Sequence, residues 1–154
     1  MIPLMEHTKL IGRIKMKRMT GVAIFSFILF LPLLALADQK ITLKADSHGK
    51  GSHGDALIKD KSPDQKEIVV DAGGLKPNEV YSVWLVNMKP KMDMAGVGEG
   101  DYSFKADEKG NAHYVATVPS ADLKKWQMLE IAHHPDGDPK NMEKMGIALQ
   151  GSLK

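Results

Sequence analysis

The sequence predicts an all-β domain, a single antiparallel β-sandwich of seven to eight strands of the immunoglobulin-like type. Three observations predict it: short stretches that alternate apolar and polar residues, turn-forming Gly, Pro and Asn between them, and almost no helical periodicity. A small closed barrel built from the same strands is the alternative architecture.

Alternation or β-branched residues mark each strand in turn. The predicted strands cover residues 41–45, 56–60, 67–71, 81–87, 102–106, 112–118, 129–133 and 147–153. The strand over 81–87 is apolar on both faces, so we expect it to be central. We also expect Trp84 to lie in the core and Trp126, which follows two lysines, to be more exposed.

The connections carry their own signals. The turn over 107–111 predicts that the strands on either side of it pair as a hairpin. Ser120 is predicted to cap a short helix over 121–126, and 141–145 fits one helical turn. Residues 88–100, with three Met and three Gly, are predicted to be a loop.

The N-terminal segment is typical of an export signal. Five Lys and Arg residues precede a stretch over 21–37 that has no charge and ends in Ala35-Leu36-Ala37. This pattern predicts a signal peptide over 1–37, cleaved to leave a domain over 38–154 in the periplasm or outside the cell. The protein would then meet the membrane only as the uncleaved precursor. The alternative is a retained anchor, although 17 residues with Pro32 among them is short for a span.

The composition of residues 38–154 narrows the class of protein. This part holds 16 Lys, no Arg and 18 acidic residues, a net charge of −2, which argues against nucleic-acid binding. Its 117 residues suit one domain with one core. Since the chain has no Cys, its stability must come from packing without disulfides.

From Gly74 onward, the order of motifs resembles a known family. Tyr81-x-x-Trp84-Leu85 is followed by a Gly-containing loop, a Gly110-Asn111 turn and His134-Pro135-x-Gly137. This order is similar to the extracytoplasmic domain of anti-sigma-K factors. The resemblance implies a sandwich outside the membrane. It does not imply sigma-factor regulation, because the residues before the apolar segment are too few for a cytoplasmic sigma-binding domain.

Methionine and histidine are the candidate ligands. Met88, Met92 and Met94 lie within seven residues, and His133 and His134 end a strand. Thioether and imidazole groups suit copper, particularly Cu(I), so these five residues form the predicted metal site. The alternative is that the methionines fill the ends of the core. Adjacent His residues on a strand also point to opposite faces, which opposes their sharing one metal.

Other clusters carry weaker signals. His48 and His53 lie in a Gly/Ser loop that could bind a metal ion. A mobile polar connection explains these residues better. The run 136–143 presents oxygen atoms faintly like a Ca²⁺ loop, with glycine at the wrong place for an EF-hand. No Cys nucleophile and no G-x-S-x-G motif is present. We therefore expect a non-enzymatic exported binding domain for copper. The alternative is a structural or protein-interaction module of the cell envelope with no small ligand.

Overall fold

A computed structural model describes residues 38–154. The predicted signal peptide over 1–37 lies outside the described residues. The nine strands are β1 (Gln39–Ala45), β2 (His53–Ser62), β3 (Gln65–Gly73), β4 (Val80–Asn87), β5 (Asp93–Gly96), β6 (Ser103–Lys105), β7 (Ala112–Pro119), β8 (Met128–His134) and β9 (Gly146–Ser152). In this part of the chain, one short helix, α1 (Ser120–Leu123), precedes β8. No helix within 38–154 is long and apolar enough to cross a membrane.

The strands form one continuous antiparallel sheet. Its hydrogen-bonded order is β5-β4-β8-β9-β1-β2-β3-β7, and β6 also pairs with β4. The sheet curls into a half-barrel around its apolar face. The predicted all-β antiparallel class is confirmed, whereas a division into two facing sheets is not.

Alternation along the strands builds the core. On β4, Tyr81, Val83 and Leu85 point inward, where they belong to one buried apolar cluster with Ile131 of the neighbouring strand β8. Ser82, Trp84 and Val86 point to the other side, which we call the outer face. The expected central position of β4 is confirmed, because β8 pairs with one edge and β5 and β6 share the other.

The two ends of the sheet meet through side chains. Tyr114 on β7 donates its hydroxyl hydrogen to the carbonyl oxygen of Val97, at 2.5 Å. Its ring also lies 5.7 Å from that of Phe104 on β6. The predicted hairpin between these strands is therefore wrong: β6 pairs with β4 and β7 pairs with β3, so the turn between them joins opposite ends of the sheet.

Three local predictions are also wrong. Trp84 is only half-buried and lies on the outer face, where its ring packs edge-on against Tyr102 at 5.4 Å. Trp126 is also half-buried, and it packs against the core. Ser120 begins the helix instead of capping it, because Pro119 occupies the cap position. The segment 141–145 forms turns and no helix.

Candidate metal centre

Strand β5, which the sequence analysis assigned to a loop, forms a hairpin with β4 that organises the methionines. The ladder pairs Val86 with Met94 and ends at Asn87 and Asp93. Residues 88–92 form the loop that joins the two strands, with Met88 and Met92 at its ends. Residues directly opposite, or two apart on a strand, share a face, so Met94 lies on the outer face beside Val86.

The end of the hairpin ladder keeps the three methionines close together. Asn87 and Asp93 are paired there, with Cα atoms roughly 5 Å apart, and Met88 and Met92 are the next residues along the chain. Met94 is two residues from Met92, which limits the distance between their Cα atoms to about 7 Å. Met side chains are long and have three rotatable bonds. Their sulfur atoms can therefore converge on one ion above the hairpin.

Their exposure shows that these side chains are available. Met88 is 54 % exposed and Met92 is 63 % exposed, whereas Met94 is half-buried. None of the six methionines in residues 38–154 belongs to the buried core. Met is ordinarily among the residue types most often buried. The alternative that the methionines serve as core filler is therefore not supported.

Polar contacts hold the hairpin tip in place. The Gln127 side chain accepts a hydrogen bond from the Met88 N–H at 3.0 Å and donates one to the Lys89 carbonyl oxygen at 2.9 Å. The Asp93 carboxylate accepts from the Met94 N–H at 3.0 Å. The thioethers thus extend from a backbone that is anchored on both sides.

A fourth methionine adjoins this group. Met128 pairs with Val86 from β8, so Met94 and Met128 flank Val86 on the outer face. Sequence reasoning did not assign Met128 to the site, because it lies 34 residues beyond Met94. Only the strand order brings the two together.

The two histidines of the predicted site lie at the other end of β4. His133 pairs with Tyr81, whereas Met94 pairs with Val86. Five residues of extended strand span about 17 Å. No single ion bridges that distance, so the structure does not join His133 or His134 to the methionine group.

The two histidines are also separated from each other. His133 points into the core, where its ring lies 5.0 Å from Tyr81 and its Nε2 lies 3.2 Å from the Glu79 carboxylate. His134 points to the outer face. The argument from strand alternation that the two cannot share a metal agrees with this arrangement.

His134 belongs to a buried chain of polar groups. Its Nε2 lies 2.7 Å from Ser82 Oγ, which also accepts a hydrogen bond from the Trp84 indole N–H at 2.6 Å. Burial lowers the pKa of His134, which favours the neutral ring. Ser82 and His134 are fully buried. The pair therefore connects β4 and β8 through side chains that are closed to solvent.

In the other predicted clusters, the polar side chains form hydrogen bonds with residues close to them in the chain. His48 Nδ1 lies 3.0 Å from Ser47 Oγ, and the Asp136 carboxylate accepts from the Asn141 side chain at 2.7 Å. Hydrogen bonds from the chain lower the pKa of Asp136. Within residues 38–154, no group of three or more His, Asp or Glu side chains is placed to hold a metal ion.

Comparison with family models and with curated proteins finds no relative. No protein-family model matches the chain, and no curated protein matches it. The resemblance to anti-sigma-K factors therefore stays a prediction.

Proposed function

We propose that this protein is an exported, non-enzymatic Cu(I)-binding domain. Met88, Met92 and Met94 supply the thioether ligands from the β4–β5 hairpin. The observation that carries the proposal is that no described methionine lies in the core, while three of them lie on one hairpin. Met94 is in β5, and Met88 and Met92 stand at the two ends of the loop that joins β4 to β5.

The donor set favours Cu(I) over harder ions. Thioether sulfur is a soft, neutral ligand, and Cu(I) is the soft metal ion that it suits best. The only carboxylate of the hairpin, Asp93, already accepts a hydrogen bond from Met94 N–H. Zinc and calcium prefer imidazole, thiolate or several oxygen ligands, which this hairpin does not offer.

The location fits the chemistry. We infer that the apolar stretch over 21–37, ending in Ala35-Leu36-Ala37, directs the protein to the periplasm or the outside of the cell. Cysteine thiols form disulfides in such compartments. Methionine thioethers do not form disulfides, so they stay available as neutral ligands. A chain with six methionines and no cysteine in its exported part is suited to hold Cu(I) there.

The test is an anaerobic competition for Cu(I) between the purified protein and a chromophoric chelator. We expect one equivalent of Cu(I) to transfer to the protein. The variant Met88→Leu/Met92→Leu/Met94→Leu keeps most of the apolar volume but removes sulfur, so it should fold normally and fail to compete. The matched control, Met142→Leu/Met145→Leu, should retain binding. Equal competition by both variants would overturn the proposed site.

A second candidate function follows from the same exposed residues. Met is enriched at protein interfaces, and Met88 and Met92 flank a tip that carries Lys89 and Lys91. The hairpin then serves as a contact surface for an envelope protein, with no small ligand. A wild-type protein that takes no Cu(I) from the chelator would favour this function over the first.

A further inference from the structure

A cavity of about 320 Å³ lies at the end of the sheet where α1 joins it. Its apolar lining includes Ile58, Leu123 and Leu153, with the half-buried ring of Trp126 beside them. This volume is at the small end of the range for ligand-binding pockets, roughly 300–1,000 Å³. The cavity is separate from the methionine hairpin and shares none of its residues.

Hydrogen-bond donors without acceptors surround this apolar lining. The Ser120 hydroxyl is buried and has no partner. Within residues 38–154, the Trp126 indole N–H makes no hydrogen bond and the Lys124 ammonium forms no ion pair, although the neighbouring Lys125 pairs with Asp122. A buried polar atom without a partner is costly and rare in folded proteins. The buried Ser120 hydroxyl therefore indicates a partner that the described chain does not supply. The exposed Lys124 ammonium and the Trp126 N–H lie beside it and can bind the same partner.

We propose that this cavity binds a small amphipathic monocarboxylate, such as a medium-chain aliphatic acid. The apolar chain would lie against Leu123, Leu153 and the Trp126 ring. The carboxylate would accept from Ser120 and Trp126 and pair with Lys124. Lys66, at the same cavity, is already paired with Asp60. Lys124 and Lys154 also line the cavity, and Lys124 is the one that stands beside Ser120 and Trp126 in the α1 segment.

The two tryptophans allow a direct test by nuclear magnetic resonance. Octanoate, titrated into purified protein through the millimolar range, should shift the indole N–H signal of Trp126. The Trp84 signal should stay in place, because its N–H is bonded to Ser82 on the outer face. Octanamide should bind several-fold more weakly because it lacks the charge, and acetate should shift neither signal because it lacks the chain.

Matched variants locate the site. Lys124→Gln should weaken octanoate binding about threefold, which is the usual effect of losing an exposed ion pair. Ser120→Ala should weaken it about tenfold, as expected for a hydrogen bond to a charged group. Lys125→Gln should leave binding unchanged. An unmoved Trp126 signal, equal binding of octanamide, or equal effects of the two lysine variants would each overturn the proposal.

Discussion

Ser82 and His134 lie on adjacent strands with 2.7 Å between Oγ and Nε2, and neither side chain reaches solvent. The burial of His134 makes the stability of the fold sensitive to acid. Burial lowers the pKa of His134 from its ordinary value of 6.5, although the charges of Asp136 and Asp138 oppose the shift. The unfolded chain therefore binds the proton more readily than the folded one.

The sign of the pH effect follows from that difference. The unfolding free energy should fall as the pH drops below about 6.5, since protonation favours the unfolded state. The variant His134→Asn should lose stability at neutral pH but show a flatter pH dependence. Urea denaturation at about pH 7 and pH 5 measures how much the unfolding free energy of each protein changes with pH. An equal change in wild type and variant would contradict the assignment of the acid sensitivity to His134.

Glu130 should act in the opposite direction. Burial raises its pKa, with a further contribution from the charge of Asp46. The protonated form of Glu130 contributes favourably to the free energy of unfolding. This contribution is present below the ordinary pKa of 4.5 and is lost as the pH rises through the raised pKa of the folded state. Glu130→Gln should therefore stabilise the protein at neutral pH and lose that advantage in acid. A variant less stable than wild type at neutral pH in thermal unfolding would show that the carboxylate has a stabilising partner.

Gln127 should affect Cu(I) binding by holding the hairpin backbone, without itself being a ligand. Its two hydrogen bonds fix the backbone at Met88 and Lys89. Gln127→Ala should weaken Cu(I) binding by about 1 kcal/mol, roughly fivefold, because the freed tip must be ordered on binding. Chelator competition measures the change. Gln150→Ala, which removes a distant bond to Asp46, serves as the control and should bind as wild type does.

The export prediction has its own check. Cleavage after Ala37 yields a secreted protein that begins at Asp38 and ends at Lys154. Intact mass spectrometry of the exported fraction should give that species. A full-length chain found only with the membranes would favour the anchor instead.

Strand alternation predicted much of the fold because it records burial residue by residue. It placed Tyr81 and Trp84 on opposite faces of β4 but could not tell which face formed the core, since both are apolar. It also missed β5, since Met94, Ala95 and Gly96 have weak strand preferences. That strand forms because the free edge of β4 offers a partner. These features depend on long-range contacts that no local window contains.

The candidate site was predictable to a similar degree. Spacing alone identified Met88, Met92 and Met94 as a group. It could not place His133 and His134, because their distance from the hairpin depends on the register between β4 and β8. The exposure of the methionines, which separates a ligand role from packing, is likewise a property of the folded sheet.

X-ray absorption at the copper K-edge of the loaded protein tests the central claim most directly. Since the structure places the histidines about 17 Å along β4 from the methionine hairpin, the account predicts Cu(I) surrounded by sulfur alone. The spectrum should lose this sulfur shell in the Met88→Leu/Met92→Leu/Met94→Leu variant. A first shell containing imidazole nitrogen in the wild type would contradict the account.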